Sequence, residues 1–504
     1  MPVAERIPVM ARTIPAPLPG RRRSARTARA VVVLAPLCLT LALGVWGIGR
    51  EGSLWGDEAV TYQLAHRDLT QIWLTTQHVD LVHALYYAVM HGIFALFGEG
   101  LLTLRLPSVL AMSLAASGVG FLGLRLAGAR AGLLAGLVFA LLPQVQKYAQ
   151  EGRSYAMVCA LVTWATCALV AGVAHRTRRR WVLYGSTMLL ACLLHEFAVL
   201  ALVAHGVTLV VSRVPRRVLK AWSVTAAGVI AGLLPLVIRS AGQSGQLSWI
   251  EGPVRLPDFL VTAVVAVACA LVPTRRRGRL SALAVPLVVL PALVLLLASL
   301  VKPLFVDRYV LYSHAGIALL LGTAMDYFLE RQKSARIRWI TAVAVLAALV
   351  PPSLWLRTPQ SRSNDATAIA AAVREAGRPG DGLLYLSGQH RILTAANPED
   401  TRSLTDLALA QDPVTSNTLA GVELPAQAIA ARMLAYDRVV AVRAAGAHPR
   451  TDPKEKAKTS TLRHHFRVYK TKHVKGARIL IYIRDYTSSL ETGTAASNER
   501  RTRR

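Results

Sequence analysis

Two adjacent carboxylates, Asp57 and Glu58, stand in LWGDEAVTYQLA, a stretch that begins at Leu54 directly after the first long apolar run. A carboxylate held beside a hydroxyl can take its proton, and a general base of that kind supplies roughly 100- to 10,000-fold in rate. The plainer reading is that two acids cap a helix starting near Ala59, or mark the end of an apolar span. Further candidates follow at intervals: Asp80 and His83 in HVDLVHALYY, Glu151, Arg153 and Tyr155 in QEGRSYA, His195 and Glu196 in HEF, and Arg308 in FVDRYVLY. An arginine can hold a phosphate through two parallel N–H···O bonds. Each group also has a structural alternative. Asp80 suits the start of an interfacial helix, Glu151 with Arg153 a surface ion pair, His195 with Glu196 a local hydrogen bond, and Arg308 a partner for Asp307 or a lipid phosphate. Trp55, Tyr62 and Trp249 would stack on a sugar face or sit in an interfacial aromatic belt. Acids for a base and arginines for a phosphate amount to group transfer from a phosphorylated donor, if the fold gathers them on one face.

The elements that must gather them are membrane helices. The chain of 504 residues is 53% hydrophobic with a mean hydropathy of +0.41. Apolar runs recur at 30–49, 104–124, 131–147, 154–174, 181–194, 197–212, 221–239, 258–274, 281–300, 309–327 and 339–356. The longer ones match a hydrocarbon core of roughly 30 Å. Continuous apolar runs, in place of dyad alternation, exclude a barrel. The net charge of +30 raises nucleic acid as a partner. Its arginines and lysines instead sit in short loops between apolar runs, without interleaved aromatics, which excludes that class. Cys38, Cys159, Cys167, Cys192 and Cys269 all lie within apolar runs, so neither a disulfide framework nor a metal site is indicated.

Charge parity orients the spans. Residues 1–29 are basic and read as a disordered cytoplasmic tail ahead of a retained first span. The segment 83–97 carries two histidines and two tyrosines and is expected to lie along or dip into the outer leaflet. If it does not cross, the loops with Arg125/Arg130, RTRRR (176–180), Arg213–Lys220, RRRGR (275–279) and ERQKSARIR (330–338) all fall inside. The loops with Asp57–Glu58, QEGRSY, HEF, QSGQLSWIEG (243–252) and KPLFVDRY then all fall outside, and Arg153 and Arg308 become exceptions that ask for an anionic ligand. His195 and Glu196 interrupt 181–212, since charged groups at mid-bilayer cost roughly 2.5–3.5 kcal/mol each, and two short helices turning at HEF avoid that cost. Residues 357–486 read as a small α/β domain: NDATAIAAAVREAG as an amphipathic helix, and GLLYLSG, RVVAV and ARILIYIR as strands. Residues 487–504 read as disordered. The expectation is an all-α polytopic membrane protein of about 11–13 transmembrane helices, with its first outer loop at 50–103 and a small C-terminal extracytoplasmic α/β domain.

LWGDEAVTYQLA resembles the first-loop DE motif of the glycosyltransferase C superfamily, in particular the family 39-type enzymes that include protein O-mannosyltransferases and aminoarabinose transferases. HVDLVHALYYAVMHGIFALFGEGLLTLRLPSVLA, LLPQVQKYAQEGRSYAMVCAL and KPLFVDRYVLYSHAGIALLLG are similar to its later segments, and the likeness covers 30–356. It implies transfer of a sugar from a polyprenyl-phosphate donor to a hydroxyl of a glycan, lipid or protein acceptor on the outer face of the plasma membrane, with inversion. Asp57 would be the base, with Glu58 beside it. Arg153 and Arg308 would bind the donor phosphate, and Asp80, His83, Glu151, Tyr155, His195 and Glu196 would contact substrate. The chain departs from its relatives at His83-Ala84, where they commonly carry His-Pro. The resemblance implies no firm cofactor; divalent metal dependence varies across the superfamily. A transporter or flippase of a lipid-linked sugar is the rival class, but such proteins place charges at mid-membrane, often in two related halves, and here the acids sit at the outer rim.

Overall fold

The computed structural model describes residues 19–243, 256–273, 277–445 and 452–486. Trp249, most of QSGQLSWIEG, the start of RRRGR, most of the basic N-terminal tail and the last 18 residues lie outside these. Helices account for each expected apolar run: α1 (Pro19–Val45), α2 (Gly56–Ala65), α3 (Leu69–Thr76), α4 (Ala84–Phe97), α5 (Leu101–Leu126), α6 (Ala129–Leu141), α7 (Pro143–Ala149), α8 (Tyr155–His175), α9 (Arg178–Leu194), α10 (Leu200–Val211), α11 (Arg216–Ala241), α12 (Leu256–Leu271), α13 (Arg277–Ala298), α14 (Ser313–Arg331), α15 (Ala335–Ala347) and α16 (Pro351–Trp355). Among the described residues, six stretches are long and apolar enough to cross a membrane unaided, beginning at Arg26, Leu101, Tyr155, Arg216, Gly278 and Ala335. The pair α6–α7, bent by 61° at Pro143, makes a seventh. The remaining apolar helices are shorter or more polar and are held by packing against their neighbours. Helix α4 has 14 residues, about 21 Å at the helical rise, which is short of a bilayer core.

Small residues set the tightest crossings of the bundle. A Cβ on Gly132 of α6 would stand 2.4 Å from the backbone nitrogen of Leu124 on α5, and one on Gly322 of α14 would stand 2.4 Å from that of Ala135 on α6. Any side chain there would force the helices apart. At His195 the chain is extended, a 3₁₀ turn spans Glu196–Val199, and α10 then runs back, so α9 and α10 are two short helices joined at HEF.

The C-terminal domain opens with α17 (Ala366–Ala376), N-capped by Asp365, whose carboxylate accepts the Ala368 N–H at 3.1 Å. Its five-stranded sheet has the order β2-β1-β5-β7-β6, built from β1 (Gly382–Tyr385), β2 (Thr405–Asp406), β5 (Arg438–Ala444), β6 (Phe466–Val474) and β7 (Ala477–Arg484). Strand β1 runs parallel to β2 and β5, while β7 is antiparallel to β5 and β6. A separate pair, β3 (Leu409–Gln411) with β4 (Val422–Glu423), brackets a loop that faces the membrane part. Helices α18 (Ile392–Ala395), α19 (Ala426–Met433) and α20 (Pro453–His465) complete the domain. Its entry segment is stitched to the loop after α1: the Ala366 N–H donates to Leu54 O at 2.7 Å, the Gly56 N–H to Asn364 Oδ1 at 2.8 Å, and Trp55 Nε1 to Ser363 Oγ at 3.1 Å.

Candidate functional site

Asp57 and Glu58 both lie in the first turn of α2, where negative charge complements the helix dipole. Successive helical residues point about 100° apart, and the two carboxylates meet opposite environments. Glu58 is fully buried. Its carboxylate accepts from Arg105 Nε at 2.8 Å and Nη2 at 2.7 Å, from the Gly152 N–H at 3.0 Å and from the Trp55 N–H at 3.2 Å. Burial alone would raise its pKa. The charge and hydrogen bonds of Arg105, the charge of Arg50 and the Gly152 N–H outweigh that and bring it to about 2. Glu58 is thus a buried carboxylate paired with Arg105 at the start of α2, and it is not among the residues that line the cavity Asp57 faces.

Asp57 faces a cavity of about 1040 Å³. Its Oδ2 pairs with Arg308 Nη2 at 3.2 Å, and its side chain keeps 31% of its surface exposed. Arg308 Nε donates to Tyr155 Oη at 3.1 Å, and the guanidinium lies 5.5 Å from the centre of the Trp55 ring. Trp55 thus carries a cation instead of a free stacking face. Tyr62 packs on Phe94 and His66, away from the cavity.

A second acid–arginine pair also lines the cavity. Asp80 adopts φ 58°, a left-handed conformation that aspartate tolerates better than most residues. Its Oδ2 lies 3.5 Å from Arg153 Nη2 and accepts a hydrogen bond from Tyr87, whose hydroxyl accepts from Arg153 Nη1 at 2.8 Å. His83 is buried and its Nδ1 meets Ser154 Oγ at 3.1 Å. Burial, with the charges of Arg153 and Arg308, pushes the His83 pKa well down, so the imidazole is neutral.

Of the predicted residues, Asp57, Asp80, His83, Arg153, Tyr155, Glu196 and Arg308 line the cavity. Glu196 Oε2 accepts from Ser240 Oγ at 2.7 Å. Two of the others lie behind the wall. His195 is buried against Tyr309, with ring centres 4.6 Å apart, and burial pushes its pKa well down. Glu151 is buried with its Oε2 3.7 Å from Arg362 Nη2, beyond hydrogen-bond reach. Burial raises its pKa, the charges of Arg362 and Arg308 offset part of the rise, and it stands at about 7. Glu151 and His195 are therefore placed behind the residues that line the cavity.

Several contributors were not among the expected site residues. Lys302 adds a third cation to the cavity, and Tyr309 an aromatic wall. Gln389 and Thr418–Gly421 of the C-terminal domain form its roof. Arg105 and Ser108 lie in RLPS, and their roles depend on distant partners: Arg105 also binds Ile48 O and Ser53 O, each at 2.6 Å, and Ser108 Oγ donates to Glu151 O at 2.6 Å. Among the described residues, no three His, Cys, Asp or Glu side chains cluster to hold a metal ion.

The chain is a polytopic helical bundle with an acid–arginine cavity at one end and a small strand-containing domain over it. Residues 83–238 match the model of the dolichyl-phosphate-mannose-protein mannosyltransferase family. The chain superposes on ArnT from Cupriavidus metallidurans bound to undecaprenyl phosphate with a TM-score of 0.52 at 14% identity, covering 89% of this chain and 97% of that one. The apo state of the same protein gives 0.54 at 13%, with the same coverage. The apo oligosaccharyltransferase of Archaeoglobus fulgidus gives 0.51 at 12%, over 82% of this chain and 69% of that one. At such identities the likeness is one of fold. No curated protein matches the chain in sequence.

Proposed function

We propose that the chain is a glycosyltransferase that moves a sugar from a polyprenyl-phosphate donor to an acceptor hydroxyl at the extracytoplasmic face of the plasma membrane, with inversion. The observation that carries the reading is the meeting of Asp57, Arg153 and Arg308 in one cavity beside two neutral, buried histidines. The matched family's description and the undecaprenyl phosphate bound by the similar ArnT support a lipid-phosphate donor.

Asp57 Oδ2 lies 3.2 Å from Arg308 Nη2. A donor phosphate competes for that guanidinium, and its arrival leaves Asp57 free to accept a proton. The acceptor oxygen then forms a bond to the anomeric carbon while its proton passes to Asp57. The bond from that carbon to the phosphate oxygen breaks, and the leaving phosphate takes the electron pair. Arg308 and Arg153 stand where the departing charge grows, and Lys302 adds a further cation. Fixed cations of this kind act most strongly in the transition state. The two histidines, being neutral, add no competing charge.

The test is release of polyprenyl phosphate from a polyprenyl-phosphate sugar by membranes carrying the wild type or Asp57→Asn. Loss of about 100-fold or more with unchanged thermal melting supports the base. Retained release would sink the assignment, and retained cellular function with no release in either protein would favour a transporter.

A further inference from the structure

A second cavity, of about 990 Å³, opens between α9 and α11 along the first halves of both helices. The candidate active site lies past their far ends, at Glu196 and Ser240. The two cavities therefore lie at opposite ends of α9 and α11.

The floor of the groove is apolar. Val182, Leu189, Val224 and Val229 line it, and Val182 and Val224 are 58% and 67% exposed. Gly228 keeps it open: a Cβ there would meet nothing within 4 Å. The rim is cationic. Arg176, Arg178, Arg217 and Lys220 border one end, all exposed, and none has an ion-pair partner among the described residues. Between Glu151 and Glu251 the sequence holds one acid, Glu196, which lies at the other end of α9. Arg176 sits at φ 53°, a left-handed position that glycine or asparagine fills with less strain, yet the chain keeps a charge there.

We propose that this groove binds one anionic phospholipid, its phosphate among Arg176, Arg178, Arg217 and Lys220 and one acyl chain along the valine floor past Gly228. A free anion has no use for the apolar floor. A zwitterionic lipid brings its own cation against the rim. An anionic lipid satisfies both halves, since basic pockets between membrane helices bind such headgroups. The orientation proposed above puts the rim in the cytoplasmic leaflet, but binding itself depends neither on that orientation nor on the transferase reading.

Native mass spectrometry of the purified full chain, from micelles with equal dioleoyl-phosphatidylglycerol and dioleoyl-phosphatidylcholine, tests this. One phosphatidylglycerol should be retained in about tenfold preference. The triple change Arg178→Gln, Arg217→Gln, Lys220→Gln removes the preference. Gly228→Leu fills the groove with every charge intact and should cut retention about tenfold. Both variants lie far from the cavity of Asp57, so melting temperature and release of polyprenyl phosphate check their folding. Equal retention of the two lipids, wild-type retention by Gly228→Leu, or displacement of the lipid by glycerol phosphate at the same concentration would each overturn the proposal.

Discussion

Adjacent acids of the same sequence motif divide between two tasks because a helix turns them to different sides. Asp57 meets a cavity and an arginine that a ligand can draw away; Glu58 meets Arg105, which nothing can draw away without opening the protein. Glu151 is the more unusual carboxylate, since its oxygens have no hydrogen-bond partner among the described residues. Its pKa rises from the ordinary 4.5 to about 7 on folding, so the folded state holds a proton that the unfolded chain has already lost. Its contribution to stability is therefore most favourable below pH 4.5 and falls as pH rises through about 7, by up to about 3 kcal/mol. Glu151→Gln should raise the melting temperature at pH 8 and leave it nearly unchanged at pH 5; a parallel shift at both values would show that Glu151 stays ionised. The two fates were not legible in the sequence. DE reads the same whichever residue faces inward, and the buried partners Arg105 and Arg362 lie 47 and 211 residues from their acids, a separation that only the fold closes.

At the scale of elements, the roof of the cavity is held by side chains that accept no movement cheaply. Three successive carbonyls each have their own donor: Thr418 O accepts from Arg67 Nη2 at 2.7 Å, Leu419 O from Gln63 Nε2 at 3.2 Å, and Ala420 O from Arg391 Nη1 at 2.6 Å. Arg391 is anchored in turn by Asp406 at 2.6 Å and Glu423 at 3.1 Å, and Lys458 holds Glu423 at 2.7 Å. The loop between β3 and β4 is thus tied both to α2 and to the C-terminal sheet. Arg391→Leu removes the cation between two acids, a change worth about 3 kcal/mol when such a pair is buried. Limited proteolysis at 412–417 should accelerate roughly 100-fold if that loss appears as local opening, with Arg391→Lys in between. Cleavage at the wild-type rate would mean that Arg67 and Gln63 hold the roof by themselves. Nothing in DPVTSNTLAG announces this role, because backbone carbonyls carry it and they look alike at every position. The strands GLLY, RVVAV and ARILIYIR were readable because their apolar character is a property of the residues themselves.

For the whole molecule, the apolar runs and the loops between them were the most legible part, since hydrophobic length and arginine placement are physical properties of the chain before it folds. The same arithmetic predicts orientation, and the fold gives it two fixed reporters. Val414, 40% exposed, lies in the roof loop over the acid–arginine cavity. Ser212, also exposed, lies after α10 beside the basic segment Arg213–Lys220, at the opposite end of the bundle. In a variant whose five cysteines are replaced by alanine, Val414→Cys should react with a membrane-impermeant maleimide in intact cells, and Ser212→Cys only after permeabilisation. The result bears directly on chemistry. On the proposed function, a lipid-phosphate sugar would present its phosphate at the membrane surface where Arg308 and Asp57 lie, and on the orientation expected from charge parity the rim of Arg176, Arg178, Arg217 and Lys220 would belong to the other leaflet. Labelling of Ser212→Cys in intact cells, with Val414→Cys silent, would turn the cavity toward the cytoplasm. The donor would then have to be used on the face where positive charge normally accumulates, and Arg153 and Arg308 would lose the distinction that first marked them.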